Sequence, residues 1–480
     1  MRRNAVRIAA LALTSLALAA RSATAQGFGV YEHDACTMAR GGTGVASPCN
    51  ASATFFNPAG MLTPGATHKW NVAVGATSIN ADFAFADSAS GVTTNSTGGG
   101  VLVPNVHVTR QMSDKVALGL GIFAPYGLVS EWPSDANFAG RFLGYRSELK
   151  SIYIQPTVSY RVNSWLQVGV GLDYIRSTVD LRQRLDLSTQ VAGAGITFAN
   201  LGIPLGTDFA DAHLTGGSWS SGANFGILVK PMRRISIGAR YLLRAKADIQ
   251  GDAAFTQVST GILLPAGSPL QPGVNGLPCL GHSPLDTLRA AAGLPLDQVL
   301  ECNNIFKTSL GAQHVSTNVA LPDQFVIGTA INVTSALMVL FDYQWVNWSA
   351  FSKLQLAFAQ PALGVRTLWE DYKNTNGYRF GAQYDVSPAL TIRAGALYHD
   401  GAAPDQTVTP LLPEGARAEQ TLGVGFRIRD NMRIDVAYQH ITQVDRRGRI
   451  VDAPRFSTAN NTGLYTGSAN LFGASLAWGF

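Results

Sequence analysis

Charge is scarce in this 480-residue chain: Asp, Glu, Lys and Arg make up 14% of it, and the formal net charge is only +5. A soluble globular protein carries about a quarter charged residues, and a disordered chain carries more charge than that and fewer apolar residues than the 46% found here. The small positive balance gives no case for nucleic-acid binding. Arg2, Arg3, Arg7 and Arg21 lie in an N-terminal leader, and without them 36 basic residues fall to 32, against 31 acidic ones. Long hydrophobic runs are missing as well. The longest, Ile8 to Ala20, is shorter than the roughly 20 residues a spanning helix needs, and no later stretch approaches that length. Catalytic patterns are absent: the eight histidines are scattered with no HExxH. Gly281-His282-Ser283-Pro284 imitates half of a nucleophile elbow, but residue 285 is Leu where that motif has Gly. No CxxC supplies a zinc site. The reading is a non-enzyme with no cofactor and no metal.

What is present begins with a secretory leader. A basic start, the apolar run and the small residues Ala23-Thr24-Ala25 form a signal peptide over 1–25, with the mature chain starting at Gln26.

The dominant signal after that is period-two alternation. In the last eleven residues Phe472, Ala474, Leu476, Trp478 and Phe480 share one face, and Gly473, Ser475, Ala477 and Gly479 the other. Leu422, Val424, Phe426 and Ile428 oppose Gly423, Gly425, Arg427 and Arg429; Tyr378, Phe380 and Tyr384 oppose Arg379, Gln383 and Asp385. One face is apolar and aromatic, while the other mixes Gly with Arg, Asp and Gln. That is a lipid-facing exterior around a polar interior, and only a closed barrel satisfies every backbone group in lipid. Strands are expected near 67–80, 99–111, 115–124, 149–161, 165–180, 219–230, 234–249, 316–333, 336–346, 375–386, 389–399, 419–428, 431–441 and 467–480. The fold class is therefore all-β: a transmembrane antiparallel β-barrel of about 14 strands over 67–480. Short connections such as Asn163-Ser164 and Val386–Ala389 alternate with long ones at 181–218, 250–315 and 442–466, the rhythm of periplasmic turns and extracellular loops. Both termini are then periplasmic. Gly-x-Gly pairs at 119/121, 169/171 and 423/425 have no strand–loop–helix context for nucleotide binding and read as inner-face strand glycines. Arg379, Arg393 and Arg427 are expected to pair with Asp385 or Asp435 in the barrel wall.

Residues 26–66 precede the first strand without alternation. Their apolar content (Phe28, Tyr31, Phe55, Phe56, Met61) favours folding inward over hanging free. Asn57-Pro58-Ala59 reads as a turn, since Pro fixes φ and Asn suits the position before it.

Here the sequence resembles the FadL family, outer-membrane transporters of long-chain fatty acids and other hydrophobic compounds. The likeness runs from Gly27, Phe28 and Glu32 through Arg40-Gly41-Gly42, Gly44 and Asn57-Pro58-Ala59 to APYGLVSEWP, GRFLGYRSELKSIYIQPTVSYRVN, LPDQFVIGTA, WVNWSAFSKL and the terminal WGF. It implies that 26–66 is a hatch lodged inside the barrel, with Phe28, Asn57, Pro58 and Ala59 among its fixed points. It implies passive import: substrate is caught at extracellular loops, passes to a lumen pocket, and leaves sideways by a gap beside an inward-kinked third strand, here VALGLGIFAPYGL. Gly119 and Gly121 are candidates for the kink. Phe138, Phe142, Leu143 and Tyr145 are candidates for the capture groove, and Arg366 and Lys373 for a basic contact to a carboxylate. In an oxidising compartment the four cysteines are expected as Cys36–Cys49 in the hatch and Cys279–Cys302 in the longest loop. Partners on this reading are a long-chain fatty acid or other hydrophobic small molecule, outer-membrane lipid and lipopolysaccharide, with the protein a monomer. The alternatives are an aromatic hydrocarbon channel, a non-specific porin and an adhesin.

Overall fold

In the computed structural model of the chain, residues 27–62, 68–193, 196–265, 268, 294–302, 305–361, 363–448 and 462–480 are described. The leader lies outside them, and so does Cys279, and with it the second expected disulfide.

The alternating segments become fourteen barrel strands: β1 Trp70–Asp87, β2 Val101–Gln111, β3 Val116–Glu131, β4 Arg146–Arg161, β5 Leu166–Asp186, β6 Asp208–Met232, β7 in two pieces (Ile235–Leu242 and Ala245–Gln257), β8 in two pieces (Gln313–Leu321 and Gln324–Asn332), β9 Leu337–Val346, β10 Thr375–Asp385, β11 Leu390–His399, β12 Arg417–Arg429, β13 Met432–Gly448 and β14 Gly463–Gly479. Each pairs antiparallel with the next. The ladder closes where β1 meets β14, from Asn71↔Gly479 to Asp87↔Gly463, and Trp70 and Phe480 exchange backbone hydrogen bonds of 2.9 and 3.0 Å at the seam. Closure removes the exposed edges that lipid does not tolerate.

The solvation pattern is inside-out. Phe472, Trp478, Leu422, Phe426, Phe380 and Tyr384 are all exposed, whereas Arg379, Arg393, Asp435 and Gln439 are buried. A water-soluble sandwich would bury the first set, so the outer surface is built for lipid. Arg393 meets Asp435 at 2.9 Å as expected of a wall pair.

The periplasmic turns repeat one device. Ser113, Asn163, Thr334 and Ser387 each accept with the side-chain oxygen from the backbone N–H groups two and three residues on, the side-chain mimic of a tight turn.

Two departures from the expected strands have physical causes. Most strands run further at their extracellular ends than the alternation shows, β1 to Asp87, β5 to Asp186 and β6 back to Asp208. Beyond the bilayer no lipid enforces an apolar face. In addition, β7 and β8 are broken opposite each other, at Leu243-Arg244 and Pro322-Asp323. Pro322 has no N–H to give the ladder. Across the breaks the faces change parity: Leu242 and Ala245 are both buried, as are Leu321 and Gln324.

Residues 27–62 occupy the lumen and are almost entirely buried. They form α1 (Ala35–Met38), α2 (Ala53–Phe56) and a 3₁₀ turn at Pro58–Met61. Asp34 caps α1 by accepting from Thr37 N–H. The Cys36–Cys49 disulfide forms as expected, so these sulfurs are not free thiolate ligands, although Asp34 lies beside them. Outside, the loops pack a second apolar cluster around Leu187, Phe209, Leu264, Leu296 and Leu300.

Candidate functional site

Asn57 shows why the N-terminal segment turns where it does. It is fully buried. Its Oδ1 accepts from Ala59 N–H at 3.0 Å, and its Nδ2 donates to Val45 O at 2.6 Å and to Ile227 O of β6 at 3.0 Å. One side chain thus closes the turn, ties it to an earlier loop of the segment and fastens both to the wall. The wall makes room with glycine: a Cβ on Gly169 would lie 2.3 Å from the Pro58 carbonyl carbon, and one on Gly226 2.2 Å from Asn57 Oδ1.

The same close approach explains Gly119 and Gly121. A Cβ on Gly119 would lie 2.6 Å from Met61 Sδ, and one on Gly121 2.8 Å from Thr54 Oγ1. They do not mark the bend expected of them. Both sit where β3 is still paired with β2, a stretch running from Gln111↔Ala117 to Val106↔Ile122. The pairing with β2 stops after Ile122, and β3 is irregular against β4 between Phe123 and Tyr126. The next backbone bond near this seam is Thr97 N–H to Glu131 O, 2.8 Å. Pro125 stands in the irregularity, and its missing N–H suits an unpaired edge. Phe28 to Val30 fills part of that edge: Val30 N–H donates to Pro125 O at 2.9 Å, and Gly127 N–H to Phe28 O at 3.0 Å.

Phe28 lies in a packed aromatic cluster at the extracellular side of the lumen. Its ring centroid is 4.7 Å from Trp348, 5.4 Å from Phe351 and 6.0 Å from Tyr126. Gly27 N–H is held by Glu414 in the β11–β12 loop at 2.9 Å, and that carboxylate also accepts from Ala402 and Ala403 N–H. Burial pushes Glu414 above the ordinary glutamate range, outweighing the three N–H donors and Arg446 that pull it down.

Below the cluster is a polar layer that sequence reading missed. Arg240 Nη2 donates to Tyr31 Oη at 3.1 Å and to Gln324 Oε1 at 2.6 Å. Arg379 donates to Gln344, and its guanidinium carbon lies 3.9 Å over the Tyr31 ring. Gln324 also donates to Tyr126 Oη, 2.7 Å. Arg379 therefore joins Gln344 and Tyr31, in place of the expected carboxylate. Both guanidiniums are buried, and both keep an Nε without a partner. The alternation placed Arg379 on the inner face, but nothing local in the sequence says that Tyr31 sits between it and Arg240.

The other expected site residues divide. Phe138 is fully buried, stacked on Trp132 at 5.0 Å; it belongs to the packed loop core, and no open groove is lined by it. Phe142 and Leu143 are half-buried beside it, with Arg141 4.2 Å over the Phe142 ring. Tyr145 donates to Asp211 at 2.7 Å, and burial together with that carboxylate pushes its phenol up to about 12. Arg366 and Lys373 are exposed on the β9–β10 loop and outside the buried aromatic cluster. At the periplasmic end, a cavity of about 330 Å³ opens between segment and wall, lined by Asn50, Met61, Arg427 and Arg433 among others.

This plugged, interrupted fourteen-stranded barrel matches a family model described as outer membrane protein transport protein (OMPP1/FadL/TodX) over residues 16–480. The chain belongs to that family. It is 24% identical to the long-chain fatty acid transport protein of Escherichia coli O6:H1 over 392 residues, 79% of this chain and 77% of the relative. Among solved structures it resembles a Pseudomonas aeruginosa FadL homologue (20% identity, TM-score 0.74, 95% of this chain and 100% of that one) and the toluene transporter TodX of P. putida (19% identity, TM-score 0.66, 94% and 99%). Those two likenesses establish the fold. Family membership places this FadL/TodX-type protein in the outer membrane as a transporter of hydrophobic compounds.

Proposed function

We propose that this FadL/TodX-type barrel imports long-chain fatty acids or related hydrophobic molecules bearing an acidic head. Substrate is captured at the extracellular loops, inserts into the aromatic cluster around Phe28, and leaves sideways through the interrupted seam between β2 and β3. The observation that carries this reading is the seam: pairing stops after Ile122, and the strand edge beyond it is covered by Phe28–Val30, a piece of the lumen segment and not of the wall. A segment held there by two backbone bonds can be displaced by a ligand that inserts into the cluster. Two buried guanidiniums under that cluster favour an anionic head over a bare hydrocarbon ring.

Uptake of radiolabelled oleate and of toluene, in cells lacking their own transporter, tests it. Deleting Ala124, one residue of the irregularity, is expected to let β3 run flat against its neighbours and to bring oleate uptake close to the empty-vector level. Arg240→Gln with Arg379→Gln is expected to slow oleate and leave toluene unchanged. Toluene uptake without oleate uptake by the parent protein would move the assignment to aromatic hydrocarbons.

A further inference from the structure

The barrel's outer surface carries charge unevenly at the lipid–water boundary. On β5 and β6, Tyr174 and Trp219 stack at 4.4 Å and are half-exposed to the outside. Trp165 marks the other end of the same strand, and nine residues at ~3.3 Å, tilted ~40°, give an apolar band on the order of 25 Å tall. Tyr174 and Trp219 therefore stand at the upper belt.

Arg176 is the next outward residue above Tyr174. Its guanidinium lies 5.5 Å over the Trp219 ring and across Gly217, where a Cβ would come within 2.7 Å of Nη2. Arg244 and Lys246 are exposed on β7 at the same level. Lys246 holds Asp248 at 2.9 Å; among the described residues, Arg176 and Arg244 make no ion pair. Two tyrosines on other strands donate to neutral partners, Tyr343 of β9 to Asn376 and Tyr438 of β13 to Asn470.

The wall is also interrupted here. The β6–β7 register ends at Asn224↔Leu242, followed by one bond from Leu243 N–H to Ala223 O, and resumes only at Gly217↔Gln250. Between these points Ser218–Gly222 and Arg244–Ile249 face each other with no paired register. Backbone groups at that depth need partners.

We propose that this interrupted edge, with Arg176, Arg244 and Lys246, binds a phosphate of the lipopolysaccharide headgroup in the surrounding outer leaflet. The arginine forks take phosphate oxygens, and the strand edge supplies further N–H donors. The charge fits an anion, and the depth, immediately above the aromatic belt, fits a headgroup.

Native mass spectrometry of the full mature chain in dodecyl maltoside tests this with bisphosphorylated lipid A, chemically dephosphorylated lipid A and inorganic pyrophosphate. The parent protein is expected to hold one lipid A at least about tenfold more tightly than the R176Q/R244Q/K246Q variant, with raised salt narrowing the difference. Dephosphorylated lipid A is expected to bind both proteins weakly. Equal binding by the variant, or equal binding of the dephosphorylated lipid, overturns the proposal. Pyrophosphate binding as tightly as lipid A also overturns it, since the site would then be for a free anion. R244Q alone, at an exposed position, carries the comparison if the triple variant fails to give a heat-stable barrel on a gel. Fatty-acid uptake is not part of the readout, so a failure of the transport reading leaves this one standing.

Discussion

At the scale of single residues, Asn57 and the glycines opposite it account for the most conspicuous word in the sequence. Asn57→Ala removes three buried hydrogen bonds and leaves the Val45 carbonyl and the Ala59 N–H without their partner, while the Ile227 carbonyl stays in the β6 ladder. At about 1–2 kcal/mol for each group left unpaired, a loss of roughly 2–4 kcal/mol is expected, read as a lower midpoint in thermal unfolding of the detergent-solubilised protein. Gly169→Val is expected to cost about as much by a different route. Its Cβ meets Pro58 and Ala59 backbone at 2.3 to 2.6 Å, and backbone yields less readily than a side-chain tip. Glu414 gives a pH signature. Its folded pKa is raised, so the protonated form is favoured by folding; its contribution is whole below the ordinary glutamate pKa of about 4.3 and declines as pH rises from there through the folded value. The parent protein should therefore lose stability relative to Glu414→Gln as melts are taken from pH 4 to pH 8. A constant difference between the two would show that this carboxyl titrates alike in both states.

At the scale of elements, legibility followed the bilayer. All fourteen strands were readable because lipid imposes an apolar face and the lumen a small or polar one; Phe472, Leu422 and Phe380 declared their side of the wall in sequence. Above the membrane that constraint ends, which is why the outer reaches of β1, β5 and β6 were not visible. The turns were readable from Ser113, Asn163, Thr334 and Ser387, whose oxygens close them. Replacing any one with Ala should cost under ~1 kcal/mol in the same melts, since these turns are exposed and water takes over the N–H groups. The bend of β3 was placed at the wrong residues for a physical reason. Glycine permits a bend but also permits contact, and Gly119 and Gly121 are used for contact; Pro125, which cannot pair at all, stands at the interruption. The polar layer of Arg240, Gln324, Tyr31, Gln344 and Arg379 was not legible because its members come from five separate elements, and only the closed barrel brings them to one height.

At the scale of the whole molecule, two structures share one space: a ladder that closes on itself from β1 to β14, and a segment that fills it. The ladder's closure uses no residue of 27–62. The segment, by contrast, takes its fixed points from the wall, through Ile227 for Asn57, Asp342 for Gly44 and Val45, and Thr421 for Gly41. The closure of the ladder is therefore independent of the segment, although single wall groups such as Gly127 N–H and Arg240 take partners from it. The Cys36–Cys49 bond spans 13 residues of the segment and ties it to itself, not to a strand, so Cys36→Ala with Cys49→Ala should loosen the plug by about 2–3 kcal/mol in the loop-closure picture while the barrel keeps its heat resistance on a gel. Planar-bilayer recording separates the two effects. The parent protein is expected to be nearly silent to ions, the cysteine-free variant to show brief openings, and a chain lacking residues 27–62 to conduct continuously, since the wall it leaves behind is closed and polar inside. A barrel that failed to form without 27–62 would instead show that the wall needs its filling in order to close.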